Sequence, residues 1–390
     1  MQEKVNGIKI AFENSREIWE VPHAVNSRYL SHDYFRYIGK FPPQIAAAFI
    51  KQFSIKELAV LDPMCGGGTS LIEAWLADIT AIGMDVNPVA VLTSRVATTP
   101  VPVDLLEKEE NRILEEVAQA LSGMTMFSRT QGLSSKSPNL PNLFGNEKFF
   151  TEPILNELSI LWNSINGVED PRVADFCRIA FLGMLRHVSK ANVKKMNTEI
   201  DENKEPKPVV TTFASRLRKM NAINRILNSL PMPRVQVFKR DAMAPDLKPE
   251  SVGMVIIHPP YLSNTAFSES VQLPLAWLGY DHRTIWKTEL RCRGSYVHEP
   301  DGLRKYIVGW HRILGEAIRA TVDGGHICVV IGDGRTDYVR VPMGAITKEF
   351  GVDYKLRLVK EAEHRINNNT GWTLNRRMTT QHLLVFRKQN

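Results

Sequence analysis

Cysteine is scarce in this chain, and its few positions are unrelated to one another. The 390 residues contain four cysteines, none in a CxxC pair and none with histidines at a matching spacing: Cys65, Cys177, Cys292 and Cys328. Scattered thiols of this kind argue against a disulfide framework and against structural zinc. We therefore expect no metal site and a reducing, cytoplasmic environment.

Long apolar runs are also missing. No stretch approaches the roughly 20 apolar residues that a membrane span requires. Residues 1–6 have no basic start followed by an apolar run, so they do not look like a secretory signal. These two absences predict a protein that contacts no membrane.

Acidic residues are outnumbered by basic ones, 42 to 49, which gives a net charge of +7. Such an excess favours a polyanionic partner without establishing one. The basic residues concentrate between positions 186 and 225, where the candidates for phosphate contact are Lys190, Lys194, Lys195, Arg216, Arg218 and Lys219. A solvated helix face would explain the same cluster, so both interpretations stay open.

The pattern of strands and helices divides the chain into three parts: 1–100, 101–230 and 231–390. Strand and helix patterns alternate over residues 58–97, which predicts parallel strands joined by right-handed crossovers. The second part shows only helical patterns, at 103–122, 152–166, 171–190 and 211–230. Its two polar loops, 128–142 and 192–208, are expected to be mobile in the free protein.

Strand patterns return in the third part, beginning at residues 234–238 and 254–257. Near its end, residues 354–359 and 382–386 are further strand candidates. We expect these last two to pair as an antiparallel edge of the same sheet.

A glycine turn follows the first buried strand, in the segment Asp62-Pro63-Met64-Cys65-Gly66-Gly67-Gly68-Thr69. Glycines let the backbone pass close to a ligand, and the helix that begins at Thr69 would add free amides and a positive dipole end. Asp85, after the next strand, is placed to accept hydrogen bonds from a ribose. The turn lacks the GxGxxG spacing of dinucleotide sites, which disfavours a dehydrogenase, whereas a purely structural turn remains an alternative.

A second motif, His258-Pro259-Pro260-Tyr261, follows an apolar strand. Ligands of open α/β sheets bind at such carboxyl strand ends. The proline carbonyls would be rigid and unpaired, able to accept hydrogen bonds from an exocyclic amine, and Tyr261 would offer a stacking face. A strand terminator beside a core tyrosine is the alternative.

Together these motifs resemble those of the amino-methylating DNA methyltransferases. The glycine turn resembles their motif for S-adenosylmethionine (SAM), usually Asp-Pro-Phe-x-Gly-Ser-Gly-Thr. The second motif resembles their catalytic (Asp/Asn/Ser)-Pro-Pro-Tyr. Residues 39–45 are similar to the segment that these enzymes place against the methionine end of SAM, and residues 83–88 to their ribose-binding turn. The likeness covers about 32–97 and 234–388.

The resemblance implies a fold and a reaction. The fold is a mostly parallel, Rossmann-like α/β sheet of the SAM-dependent methyltransferase type, with an antiparallel edge hairpin and a helical insertion. Residues 1–100 would form the SAM-binding half, 101–230 the DNA-recognition region and 231–390 the catalytic half. The acceptor would be the N4 amine of cytosine or the N6 amine of adenine, on a base flipped out of double-stranded DNA. A restriction endonuclease would be the cognate partner; an RNA amino-methyltransferase and an inactive SAM- and DNA-binding protein are the alternatives.

The resemblance also assigns residues to roles. The cofactor residues would be Lys40, Phe41, Pro42, Asp62, Pro63, Cys65, Gly66, Gly68, Thr69, Asp85, Asn87 and Asp241, and the catalytic residues His258, Pro259, Pro260 and Tyr261. Asp241 would accept from the adenine amino group. A loop near residues 365–372, followed by Arg376 and Arg377, is a second candidate for DNA contact, with an Asn-rich hairpin turn as its alternative.

The histidine is the main departure from the family pattern. A neutral imidazole accepts one hydrogen bond from the target amine, whereas an imidazolium accepts none. We therefore predict that His258 must be neutral, with activity falling as the pH drops through its pKa, which is near 6.5 when unperturbed. Loss of catalysis is the other outcome that this substitution allows.

Overall fold

One mixed sheet organises the protein. The computed structural model describes residues 3–5, 7–22, 27–123, 141–262, 267–290, 301–335, 340–366 and 379–389. The strands of this sheet are β1 (Glu3–Val5), β2 (Ile8–Glu13), β3 (Arg16–Glu20), β4 (Val60–Asp62), β5 (Ala81–Asp85), β6 (Val235–Lys239), β7 (Val252–Ile257), β8 (Thr321–Ile331), β11 (Arg357–Arg365) and β12 (Thr380–Arg387). A separate short pair is formed by β9 (Gly334–Arg335) and β10 (Arg340–Val341). The order in the large sheet is β1-β2-β3-β11-β12-β8-β7-β4-β5-β6.

The central strands are parallel and covered on both faces. Strand β4 pairs in parallel with β5 on one side and with β7 on the other. All six residues of β7 are buried, as expected for a strand between two layers of helices. Strand β12 runs antiparallel between β8 and β11. A parallel core followed by this reversed strand is the SAM-dependent methyltransferase fold, as predicted; farther out in the sheet, β2 is reversed as well.

The strand order changes direction at β4. The chain proceeds from β4 to β5 and β6 on one side, and then returns to place β7 on the other side of β4. In open α/β sheets, ligands bind outside the carboxyl ends of the strands at such a switch point. The glycine turn follows β4 and the His-Pro-Pro-Tyr motif follows β7. The topology therefore brings the two motifs together.

The C-terminal antiparallel pair is present, but it is not the end of the sheet. Strand β11 begins at Arg357 and extends to Arg365, farther than the predicted 354–359. The N-terminal strands continue the sheet beyond it, because β3 pairs in parallel with β11 at Ile18 and Trp19. Trp19 is fully buried and its ring lies 5.8 Å from that of Phe49. The sequence analysis missed these strands, which are short and only partly alternate between apolar and polar residues.

Twelve helices are described: α1 (Pro43–Phe53), α2 (Thr69–Leu76), α3 (Pro88–Ala97), α4 (Val103–Ser122), α5 (Glu152–Asn166), α6 (Pro171–Met184), α7 (Val209–Leu227), α8 (Phe267–Ser270), α9 (Gln272–Trp277), α10 (His282–Trp286), α11 (Gly302–Ala320) and α12 (Met343–Asp353). Among these helices, none has both the length and the apolar composition needed to cross a membrane. Helices α4 to α7 form the predicted insertion, and their core includes Trp162, Phe181 and Trp277. Trp277 is thus a core residue, as expected.

The loop after α6 is held in place rather than free. Helix α6 ends at Met184, short of the predicted residue 190. The carbonyls that follow it converge on one lysine. The ammonium of Lys204 donates to the carbonyls of Arg186, Ser189 and Ala191. The Arg186 guanidinium in turn donates to the Ser270 carbonyl of α8, at 2.9 Å. Because buried carbonyls need donors, these two side chains stabilise the loop 192–208, contrary to the mobility expected of it. Residues 128–140 of the other predicted loop, 128–142, lie outside the described residues.

Candidate active site

The turn after β4 is closed by an aspartate. The Asp62 carboxylate accepts a hydrogen bond from the Met64 amide at 3.1 Å and from the Ser70 hydroxyl at 2.6 Å. Burial raises the pKa of Asp62 to about 7. Gly68 caps α2 with a φ of +82°, and a Cβ there would lie 3.2 Å from the backbone of Ser94. Only glycine meets both conditions, which explains its place in the motif.

A second aspartate joins two strand ends. The Asp85 carboxylate accepts from the Gly66 amide of the glycine turn and from the Asn87 amide, both at 2.9 Å. Desolvation raises its pKa to about 6. Each carboxylate oxygen has acceptor capacity left after these bonds. Asp85 can therefore bind hydroxyl groups of a ligand while it holds the glycine turn.

Lys40 occupies the space over the glycine turn. Its ammonium donates to the carbonyls of His32 and Phe35, at 3.2 and 3.1 Å. A Cβ on Gly67 would lie 2.1 Å from the Cε of Lys40. Glycine at this position, where the family usually has serine, therefore makes room for the lysine. Burial lowers the pKa of Lys40 to about 8.

Two adjoining cavities form one cleft over these turns. The first has a volume of about 650 Å³ and the second of about 310 Å³, and both are lined by Met64, Asp85, Val86 and Leu290. The assigned cofactor residues that line the cleft are Lys40, Phe41, Asp62, Pro63, Cys65, Gly66, Thr69, Asp85 and Asp241. The Asp241 carboxylate also accepts from the Met243 amide at 2.8 Å.

Three assigned residues do not line this cleft. Gly68 serves as the cap of α2, and Pro42 lines a different groove. Asn87 is buried and its side chain accepts from the Val89 amide at 3.0 Å, which makes it the cap of α3. This bond gives the side-chain oxygen a structural role, whereas the buried side-chain nitrogen has no hydrogen-bond partner within the described residues, and the assignment to the cofactor stays a prediction.

A buried glutamate of the cleft escaped the sequence analysis. Glu289 accepts from the amide of Ser268 at 2.8 Å and from its hydroxyl at 3.3 Å. Burial, with a smaller contribution from the nearby Asp85, raises the pKa of Glu289 to about 7. Tyr37 and Phe267, whose rings stack 6.3 Å apart, line the same cavity. These residues lie outside the recognised motifs, and only the folded chain brings them to the cleft.

His258 lies in the wall between this cleft and a second, open groove. It lines both, together with Gly39, Lys40 and Phe41. The groove has a volume of about 1360 Å³ and runs between residues 21–22 and 27–28 on one side and the ends of β11 and β12 on the other. Desolvation, with a smaller contribution from His364, lowers the pKa of His258 to about 4. This pKa lies well below the unperturbed value near 6.5, because partial burial disfavours the imidazolium.

The rest of the motif is engaged differently from the prediction. The Tyr306 hydroxyl donates to the Pro260 carbonyl at 2.7 Å, so that carbonyl is paired and not free for a substrate. Tyr261 is buried, and its ring meets the His258 ring edge-on, at 5.2 Å and 84°. Its hydroxyl lies 2.5 Å from Nε2 of His258. In this structure Tyr261 therefore bonds to the histidine instead of presenting an exposed stacking face.

Comparison with known proteins gives a consistent picture. Residues 34–129 match the UPF0020 family model, an RMKL-like methyltransferase domain. The Type II methyltransferase M.MvaI of Kocuria varians is 26% identical over 271 residues, which cover 65% of this chain and 58% of M.MvaI. The Type II methyltransferase M.BsoBI of Geobacillus stearothermophilus is 22% identical over 336 residues, which cover 78% of this chain and 63% of M.BsoBI. The resemblance to site-specific DNA methyltransferases is confirmed.

The matches cover only part of each protein. The chain matches less than two thirds of the length of either relative. The family match ends at residue 129, before the His258 motif. Among solved structures, TTHA0409 of Thermus thermophilus, complexed with S-adenosyl-L-methionine, is 16% identical with a TM-score of 0.26, over 38% of this chain and 54% of that one. The fold assignment rests on the strand order.

The basic residues of the insertion are mostly paired within the protein. Four of those proposed for DNA contact form ion pairs: Lys190 with Glu202, Lys195 with Glu199, Arg218 with Glu110 and Lys219 with Asp33. Surface pairs of this kind contribute about 0–1 kcal/mol, so a phosphate can compete for these side chains. Lys194 is exposed.

Arg216 is a correction to the predicted DNA interface. Its guanidinium donates to the Tyr34 carbonyl and packs against Gly183, where a Cβ would come within 2.2 Å of it. Burial lowers its pKa to about 10. It therefore links α7 to the segment before α1 and does not face a phosphate. Arg376 and Arg377 lie outside the described residues.

Proposed function

We propose that this protein transfers a methyl group from SAM to the exocyclic amine of a flipped base in DNA, cytosine N4 or adenine N6. The observation that carries the proposal is the position of His258. It is the residue of the Pro-Pro motif that lines both the cleft over the glycine turn and the open groove. A group in that wall contacts a donor in one cavity and an acceptor in the other, as direct transfer between two bound molecules requires.

The cleft suits SAM in shape and in charge. Asp85 would accept from the ribose hydroxyls and Asp241 from the adenine amino group, with Val86 and Leu290 as apolar walls. The Lys40 ammonium, still able to donate after its two carbonyl bonds, would bind the carboxylate of the methionine end. When bound, SAM supplies an electrophilic methyl group on a sulfonium. No protein nucleophile is needed for its transfer.

The catalytic residues act by position and by their hydrogen-bonding capacity. Neutral His258 would accept one hydrogen of the target amine, and the Pro259 carbonyl the other. Holding both hydrogens directs the nitrogen lone pair toward the cleft, and the proton that the nitrogen must lose once it is methylated would pass to Nε2 of His258 through the existing hydrogen bond. We expect most of the acceleration from this orientation and from electrostatics, and little from strong acid–base chemistry.

DNA as substrate is favoured by the Type II methyltransferases that the chain resembles and by its positive charge. The base must leave the duplex to reach His258. Exposed Lys194 and the weakly paired Lys190, Lys195, Arg218 and Lys219 would contact phosphates. A cognate restriction endonuclease is a further part of this proposal.

Nucleoside mass spectrometry tests the reaction directly. The purified protein is incubated with isotopically labelled SAM and either mixed-sequence DNA or total RNA, and the digested nucleosides are analysed. We expect label in N4-methylcytosine or N6-methyladenine from DNA, and far less with the Asp85→Asn variant at a subsaturating SAM concentration. Label in RNA alone would move the substrate to RNA and contradict the DNA proposal. No label at all, with SAM binding intact, would indicate a binding protein without activity.

The pH profile tests the state of His258. Because its pKa is lowered to about 4, the imidazole stays neutral and able to accept through the usual assay range. At saturating SAM and DNA we expect kcat to be nearly constant from about pH 8 to about pH 5, and to fall only as the pH approaches 4. A midpoint near 6.5 in kcat would show that His258 is solvated during turnover. Saturation matters because the carboxyl groups of the cleft change charge between these limits.

A further inference from the structure

Four side chains form a continuous hydrogen-bonded chain beside the catalytic motif. Nε2 of His258 lies 2.5 Å from the Tyr261 hydroxyl, which also accepts from the Gln381 side-chain amide. The Gln381 carbonyl oxygen lies 2.8 Å from Nδ1 of His364. Gln381 and His364 face one another on the paired strands β12 and β11, and both are buried.

The Gln381 side-chain amide gives this chain a direction. Its nitrogen, which can only donate, lies 3.4 Å from Nε2 of His258 as well as bonding to the Tyr261 hydroxyl. A neutral imidazole has one donor and one acceptor nitrogen, and the nitrogen that faces a donor, Nε2, is the acceptor. The Tyr261 hydroxyl therefore donates to His258, the Gln381 amide donates to Tyr261, and Nδ1 of His364 donates to Gln381.

Nε2 of His258, the hydrogen-bond acceptor that methyl transfer needs, is thus already occupied by the Tyr261 hydroxyl. We propose that the Tyr261 hydroxyl caps Nε2 of His258 until the amine of the target base replaces it, and that Gln381 and His364 are positioning residues for this cap. The inference rests on the proposed function, because it gives the cap a role in choosing the base. The cap gives a role at the site to Gln381 and His364, which lie outside every recognised motif.

The cap would discriminate between bases by their hydrogen-bonding groups. An exocyclic amine replaces one donor to Nε2 by another, so the exchange is close to balanced. A carbonyl in the same place has no hydrogen to offer and would leave two acceptors facing each other. Sites that require a donor reject analogues without one strongly, since a buried polar group is then left unpaired. The cap would therefore admit cytosine or adenine and exclude uracil, thymine and hypoxanthine.

The surroundings keep the four groups neutral. Burial lowers the pKa of His364, although its bond to Gln381 opposes the shift. Burial raises the pKa of Tyr261 well above its usual value. The cationic groups that line the same groove include Lys40 and Arg365, and Arg365 is paired with Glu13 and Glu20. The four side chains are therefore linked by hydrogen bonds between neutral groups, and none of them carries a charge.

Nitrogen-15 NMR of histidine-labelled protein tests the cap without any substrate. The His258 signals are identified by their loss in His258→Asn. We expect the Nε2 signal of the wild-type protein to be that of a strongly hydrogen-bonded acceptor, and to shift toward an unbonded nitrogen in Tyr261→Phe. Gln381→Met should shift it in the same direction by less. The matched control is His382→Gln, the next residue on β12, which faces the opposite side of the sheet and should change nothing.

A binding measurement tests the role of the cap in selection. A duplex whose methylated position has been located by sequencing is compared with one whose target base carries a carbonyl in place of the amine, with the demethylated cofactor present to prevent turnover. We expect the preference for the amine to shrink by about tenfold in Tyr261→Phe, because without the hydroxyl the imidazole can carry its hydrogen on Nε2 and donate it to a carbonyl, provided that thermal melting shows the variant to be folded. An unshifted Nε2 signal in Tyr261→Phe, or an unchanged preference, would overturn the proposal. If the wild-type protein methylates nothing, the proposed function fails while the NMR result still reports on the hydrogen bond.

Discussion

His258→Ala lowers the rate of methyl transfer by about 10²- to 10³-fold, the loss expected when one preorganised hydrogen-bonding group of an active site is removed. Alanine cannot accept a hydrogen of the target amine, and water entering the space would not orient it. The rate is measured under single-turnover conditions with labelled SAM and excess enzyme. SAM affinity should change little, because the groups that would bind the cofactor lie on other turns.

His258→Asn is the matched variant for this test. Asparagine is one of the residues that the family uses at this position, and its side-chain oxygen accepts a hydrogen bond without any dependence on pH. We expect it to retain a rate within about tenfold of the wild-type protein. If the folded alanine variant and the wild-type protein methylate at equal rates, His258 takes no part in the reaction. The proposed function would then lose the observation on which it rests.

Asp85→Asn weakens SAM binding by on the order of 100-fold, because hydrogen bonds to a charged group contribute about 1.5–3 kcal/mol. The carboxylate accepts from the amides of Gly66 and Asn87 and, in our proposal, from the ribose. In asparagine an NH2 group replaces one of the two carboxylate oxygens. This group donates, and it would face the backbone N–H of Gly66 or Asn87, which also donates. Titration calorimetry at pH 8 measures the loss, since the pKa of Asp85 is about 6 and the group is ionised there.

The pH dependence gives this prediction a second check. Protonation of Asp85 removes the same acceptor that the substitution removes, so the SAM affinity of the wild-type protein should decline below about pH 6 more than that of the variant. Asp78→Asn is the control: it makes the same change in an exposed residue of the turn between α2 and β5, whose carboxylate pairs with Arg234 at the surface. A comparable loss of affinity in this control would indicate a general effect of charge and not a contact with SAM.

The sequence was informative wherever function depends on a short continuous segment. The turn after β4 needs glycine at residue 68 because φ is positive and Ser94 is close, and such a requirement is visible in the sequence itself. The same holds for the Pro-Pro motif and for most helix bounds. The alternation of strand and helix patterns was sufficient to predict the parallel core, and the two C-terminal strand patterns predicted the antiparallel pair.

Charge and mobility were harder to infer. Arg216 and Lys204 belong to a basic cluster, yet both donate to buried backbone carbonyls. A cation that stabilises a loop and a cation that awaits a phosphate are the same residue in a sequence. Their difference depends on which carbonyls lie nearby, and this is decided only when α7 and α8 pack against the loop.

The sequence alone determined that a glycine turn and a His-Pro-Pro-Tyr segment would meet at the carboxyl ends of two parallel strands. The tertiary structure decided the state of the histidine. Partial burial lowers its pKa to about 4, and residues more than one hundred positions away, Gln381 and His364, orient the tyrosine that occupies its acceptor nitrogen. The physical reason is that motifs record local backbone requirements, whereas desolvation and hydrogen-bond direction depend on every group that folding brings within a few ångströms.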